Sequence, residues 1–125
     1  MSSQPGNAAK RAPERRKRRY PRYRSEFPVR VTLFSGEEHQ FLDAHCRDLS
    51  AAGIGMLLAA ELTPGEVVEL SFSPPCLDHF RIRAVLRHRR GYHYGFEFLS
   101  LSQQQSNVVS GYLANLERAD SDRNL

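Results

Sequence analysis

Phe80-Arg81-Ile82-Arg83-Ala84-Val85-Leu86-Arg87-His88-Arg89-Arg90 runs into Gly91-Tyr92, and His93-Tyr94-Gly95-Phe96-Glu97-Phe98 follows. Both runs have a period of two. Phe80, Ile82, Ala84 and Leu86 share one face of the first, and Tyr94, Phe96 and Phe98 share one face of the second. Successive side chains of a strand point to opposite sides of a sheet, so each run reads as a strand with one buried face. Gly91 supplies the turn between them. The pair is a hairpin, with one strand over 80–90 and the next over 93–99. Arg81, Arg83, Arg87 and Arg89 belong to its solvent face.

The same period governs the chain upstream. Phe27, Val29, Val31 and Leu33 alternate with Pro28, Arg30, Thr32 and Phe34, which predicts a strand over 27–34. Ser35-Gly36-Glu37-Glu38 is a turn. A second strand covers 40–48, with Leu42, Ala44 and Cys46 on one side, and a third covers 53–58. Leu62-Thr63-Pro64-Gly65-Glu66 is a turn with adjacent proline and glycine. A fourth strand over 67–73 is broken by Pro74-Pro75. After the hairpin the pattern changes. Ser102 followed by Gln105 is a capping-box signal, and Val109, Tyr112, Leu113 and Leu116 keep a helical period. A helix of about four turns should close the chain, with Gly111 a slightly weakening residue inside it. The predicted fold is mainly β: a six-stranded antiparallel barrel with a C-terminal α-helix.

The chain has 125 residues, the size of one domain, and its 40% hydrophobic content is enough for a core. No run of 18 apolar residues predicts a membrane-spanning helix. No apolar stretch follows the basic N-terminal residues, as a secretory signal would require, so a cytoplasmic location is expected. Cys46 and Cys76 stand alone without metal-ligand spacing and read as reduced thiols; no metal site is expected.

Charge is divided unevenly. Residues 1–24 hold nine Lys or Arg and one acid, Glu14, a charge of +8; residues 25–125 hold nine Lys or Arg and thirteen acids, a charge of −4. Residues 1–14 read as a disordered tail. Residues 15–24, RRKRRYPRYR, read as a flexible basic strap leading into a domain over 15–118, with a flexible tail over 119–125. Such an arm suits an anionic partner.

Two motifs carry candidate chemistry. The strap contains RxxxR as Arg18-Arg19-Tyr20-Pro21-Arg22, and DxSxxG follows as Asp48-Leu49-Ser50-Ala51-Ala52-Gly53. An arginine fork matches a phosphate or the O6/N7 edge of guanine. A carboxylate such as Asp48 suits two parallel N–H donors, which an arginine or the N1–H and N2–H of guanine provide. On a strand, Asp48 and Ser50 would share a face, with the Ser50 hydroxyl free to donate to a phosphate. Gly53 would permit positive φ and close approach of a ligand to the backbone. Taken singly, each motif has a plainer reading. DxSxxG makes a β-turn with Asp48 and Ser50 satisfying local backbone groups, and RxxxR occurs in any basic run.

Taken together, and with Phe27-Pro28-Val29-Arg30-Val31, Leu62-Thr63-Pro64-Gly65-Glu66 and Tyr94-Gly95-Phe96-Glu97-Phe98 in order, the chain from about Arg15 to Leu116 resembles the PilZ domain family. The resemblance implies a cyclic di-GMP receptor that is not an enzyme and needs no cofactor. It implies that Arg18 and Arg22 grip phosphate and guanine, and that Asp48, Ser50 and Gly53 complete the site. Lys17 stands where the family usually has an arginine that goes with a stacked pair of ligands, so two ligand molecules per protomer are expected. Arg16, Arg19, Arg87 and His88 are further candidate contacts; for His88 a structural or merely solvated role remains open.

No GxSxG, Walker loop or HxxxH pattern is present, which speaks against hydrolase chemistry. The competing reading is a small-barrel nucleic-acid binder using the basic arm, but it does not account for an intact DxSxxG. The expected mechanism is a strap held open by its own repulsion, which the ligand neutralises and orders over the barrel. The new surface would then signal to a protein effector that the sequence does not identify.

Overall fold

The structure, a computed structural model, describes residues 20–75 and 79–124, with side chains described to residue 116 of the terminal helix. Six antiparallel strands, β1 (Tyr23–Ser35), β2 (Glu38–Leu49), β3 (Gly53–Leu58), β4 (Val67–Phe72), β5 (Phe80–Arg90) and β6 (His93–Phe98), close into a barrel in the order β1-β2-β3-β6-β5-β4. Helix α1 (Gln103–Asn124) follows. Closure leaves no free sheet edge. It is completed by β1, which pairs with β2 along its length and with β4 from Val29↔Phe72 to Thr32↔Glu69.

The alternating residues fill the interior as the pattern requires. Val31, Cys46, Ile54, Met56, Val68, Leu70, Ala84 and Leu86 are fully buried. Phe27, Phe72 and Phe80 stack across β1, β4 and β5 with centroids 5.3 and 5.7 Å apart. The buried Tyr94 hydroxyl accepts from the Leu62 amide at 3.2 Å and donates to the Ala60 carbonyl, which pins the β3–β4 connection. Burial, and then the charge of Asp48, push the Cys46 thiol up to about 12, so it is held protonated. Cys76 lies outside the described residues.

The capping box forms as predicted. The Gln105 amide donates to Ser102 Oγ at 3.0 Å, and the Ser102 amide donates to Gln105 Oε1 at 3.0 Å. Val109 and Leu113 are buried, each contributing roughly 1.5–3 kcal/mol. The Ser25 and Tyr112 hydroxyls meet at 2.7 Å, tying the start of β1 to α1.

Two expectations are corrected. α1 has 22 residues, about six turns rather than four, continuing past Leu116 to Asn124. β1 begins at Tyr23, not Phe27, so the strap's last two residues are already strand. Tyr23 pairs with Leu49 and packs on the core, and Arg24 pairs with Asp48, partners that a local reading does not see. The period itself is interrupted in β5, where strict alternation would carry His88 onto the inward face with Leu86. A bulge between Leu86 and His88 turns it outward instead. The tail over 1–14 and most of the strap lie outside the described residues.

Candidate functional site

The outer face of β3 and β6 has a stretch bare of side chains. Gly55 and Gly95 are register partners there, and Gly53 lies two residues before Gly55 on the same face. On β2, Asp48 pairs with Gly55 just past a bulge at Cys46/Asp48; on β5, His88 pairs with Gly95 just past its own bulge. Asp48, Gly55, Gly95 and His88 therefore form one row across four strands. Bulges re-aim side chains, and here two of them tip a carboxylate and an imidazole towards each other over a glycine floor. A Cβ on Gly55 would meet the Asp48 carboxylate at 2.8 Å, and a Cβ on Gly95 would collide with the His88 ring. Glycine is what lets both side chains lie flat on the sheet.

Arg22 reaches this row from the strap, its Nη1 2.5 Å from Asp48 Oδ1. Two grooves meet at Arg22 and His88. One continues past Asp48 and Gly55 to Arg89, Arg90 and His93. The other passes Tyr20, Ser50, Gly53, Arg87 and Glu97. Arg22, Arg87, Arg89 and Arg90 outnumber Asp48 and Glu97 here, so the face favours an anion. The floor accepts a flat ring, the carboxylates accept N–H donors, and the arginines accept phosphate oxygens. Among the described residues, no three His, Cys, Asp or Glu side chains come close enough to hold a metal ion.

The motif residues divide in an unexpected way. Asp48 stands in the outward-facing row, but Ser50 does not share its face. Ser50 is 3% exposed. The amides of Ala52 and Gly53 donate to its Oγ at 3.1 and 3.0 Å, and Oγ lies 3.4 Å from the Gly53 carbonyl oxygen. The hydroxyl thus closes the β2–β3 turn, as the plainer reading had it. Gly53 has no positive φ. Glycine is needed there because a Cβ would strike the Phe96 carbonyl oxygen across the ladder. Arg87 and His88 both line the face. Arg16, Lys17, Arg18 and Arg19 lie outside the described residues.

Ser50→Ala is accordingly expected to act on stability. Two backbone N–H groups lose their acceptor, which costs about 1–3 kcal/mol, read as a lowered urea midpoint. An unchanged midpoint would return Ser50 to the role of ligand contact.

Sequence reading missed Gly55, Gly95 and Glu97. The signal was present: glycines inside strand patterns mark bulges or close approach of another group.

A PilZ domain profile matches residues 16–115. The chain belongs to the PilZ domain family. No curated protein sequence matches it. Among solved structures, it is similar to Escherichia coli YcgR in complex with c-di-GMP, at 25% identity and a TM-score of 0.70. That match covers 86% of this chain and 49% of YcgR, so the PilZ chain spans about half of that relative's length. The isolated PilZ domain of YcgR with c-di-GMP aligns at 21% identity and TM-score 0.67, covering 86% of this chain and 97% of that one. The K. pneumonia MrkH–c-di-GMP complex aligns at 13% and TM-score 0.69, covering 86% and 55%; these last two show the fold. Among the described residues, no helix of this PilZ chain is long and apolar enough to cross a membrane.

Proposed function

We propose that this PilZ domain is a cyclic di-GMP receptor without catalytic activity, binding its ligand on the outer face of β3 and β6. The row Asp48–Gly55–Gly95–His88, with Arg22 against Asp48, carries the reading. A guanine laid on the glycine floor would present N1–H and N2–H to the Asp48 carboxylate. Arg22, held in place beside it, has further N–H groups for O6, N7 or a phosphate. Arg18 and Lys17 are assigned to the same ligand on the family pattern alone. On this reading the strap upstream of Arg22 orders over the bound ligand, and a protein effector reads the surface so formed.

The competing nucleic-acid reading rests on the basic arm and the β5 arginines. Four of the five have a partner within the fold. Arg81 faces Glu69 at 3.9 Å and Arg87 bonds Glu97 at 2.6 Å, while Arg83 and Arg89 lie over the Phe34 and Tyr94 rings.

Calorimetry at physiological salt, with GMP and random duplex DNA as controls, tests the proposal. Saturable cyclic di-GMP binding at two per protomer is expected, tighter than either control. Polyanion binding through the arm falls steeply with salt, whereas base recognition falls less. Tighter binding of DNA at that salt would overturn the receptor reading, and a ratio near one would remove the second ligand.

A further inference from the structure

Three register pairs make up the outer surface of β3 and β6, and two of them hold the glycines. Gly55 faces Gly95, and Gly53 faces Glu97. Three of these four positions have no side chain, so Glu97 is the one carboxylate on this glycine floor, with the next outward pair, Leu57 and His93, at its far end. It is half exposed and held by Arg87 Nε, 2.6 Å from Oε1. A charge-assisted bond of this kind fixes a carboxylate's direction, and the second oxygen remains a potential acceptor.

Asp48 and Glu97 are thus two pre-positioned carboxylates on one face, each braced by an arginine. They lie two strand spacings across and two residues along the sheet from each other, about 12 Å, with His88 lining the grooves on both sides. A single guanine needs one carboxylate. We infer that Glu97 reads the second guanine, so that the site checks both bases of a cyclic dinucleotide. This rests on the cyclic di-GMP reading above and extends it to the identity of the second base.

The chemistry discriminates sharply. Guanine offers two adjacent donors, N1–H and N2–H, to a carboxylate. Adenine offers one donor, N6–H, beside the acceptor N1, which would face a carboxylate oxygen with no proton between them. A buried or half-buried mismatch of this kind is what lets hydrogen-bonding sites reject analogues. With guanine at Asp48, a cyclic GMP–AMP hybrid would place adenine at Glu97 and be penalised there. Glu97 also has an opposing effect. Its negative charge repels any dianionic ligand, so a carboxylate that reads no base would weaken both cyclic dinucleotides alike.

The experiment uses calorimetry on the full chain with cyclic di-GMP and with the cyclic GMP–AMP hybrid. Wild type should prefer cyclic di-GMP. Glu97→Gln, nearly isosteric on an exposed strand face, should lower cyclic di-GMP affinity by about tenfold, the worth of one charge-assisted bond. Hybrid affinity should hold or rise, because the repulsion is gone and an amide can donate to adenine N1. The preference should therefore narrow by tenfold or more. If Glu97→Gln changes both affinities equally, in either direction, Glu97 reads no base. Equal binding of the two ligands by wild type overturns the inference without any variant. Failure of wild type to bind cyclic di-GMP at all would instead remove the receptor reading, and this inference with it.

Discussion

Asp48→Ala is expected to weaken cyclic di-GMP binding by about a hundredfold while leaving the melting temperature nearly unchanged. Two hydrogen bonds from a guanine edge to a carboxylate, at about 1.5 kcal/mol each, amount to roughly 3 kcal/mol, and each 1.4 kcal/mol is about tenfold in affinity. The stability side is small because the Arg22–Asp48 pair is solvent-exposed, its side chains 47% and 35% accessible. Exposed ion pairs contribute about 0–1 kcal/mol. The sign is informative. Removing a negative charge beside a dianion would by itself tighten binding, so weaker binding identifies hydrogen bonding to the base as the dominant effect. Arg22→Ala should also lose ten- to a hundredfold through its missing charge-assisted bonds. Calorimetry with a parallel thermal melt separates the two quantities. Wild-type affinity in Asp48→Ala would take Asp48 out of the site.

The barrel was legible because its strands are half-buried and therefore alternate. β5 (Phe80–Arg90) falls where the period of two puts it, β3 (Gly53–Leu58) keeps its expected bounds although it is buried along nearly its whole length, and the Ser102/Gln105 box starts α1 at the predicted turn. Interruptions of the period were not legible. Nothing local in Arg87-His88-Arg89-Arg90 says where the extra residue of the bulge sits, and that residue decides whether His88 faces the core or the outer glycine row. The start of β1 was hidden for a related reason. Tyr23 and Arg24 belong to a run whose charge argues for an open strap, and they become strand through pairing with Leu49 and Asp48, about 25 residues on. The meeting of Arg22 with Asp48 became legible from the pattern of a family. Residue chemistry alone left Asp48 and Ser50 as turn residues, and for Ser50 that plainer reading matches the geometry.

Gly53→Ala is expected to destabilise the barrel by roughly 2–4 kcal/mol, through overpacking and broken ladder bonds. Gly53 is an ordinary strand residue in its backbone angles, so torsional strain does not enter. The cost comes from across the ladder. An added Cβ would fall inside the contact shell of the Phe96 carbonyl oxygen and 3.3 Å from its carbon. Both are backbone atoms on β6, so no rotamer change relieves the clash. β3 and β6 must separate at the Gly53↔Glu97 pair. The strain then reaches the adjacent Phe98 amide to Ala52 carbonyl bond of 2.8 Å and the Ser50 turn that Gly53 completes. Gly111→Ala provides the contrast. That glycine is exposed on α1, with nothing near its missing Cβ, and alanine gains about 0.8–1 kcal/mol of helix propensity. Urea unfolding should therefore move in opposite directions for the same chemical change, down for Gly53→Ala and up for Gly111→Ala. A Gly53→Ala midpoint equal to wild type would mean that the strands part there freely, and the tight β3–β6 floor on which the proposed ligand face depends would have to be given up.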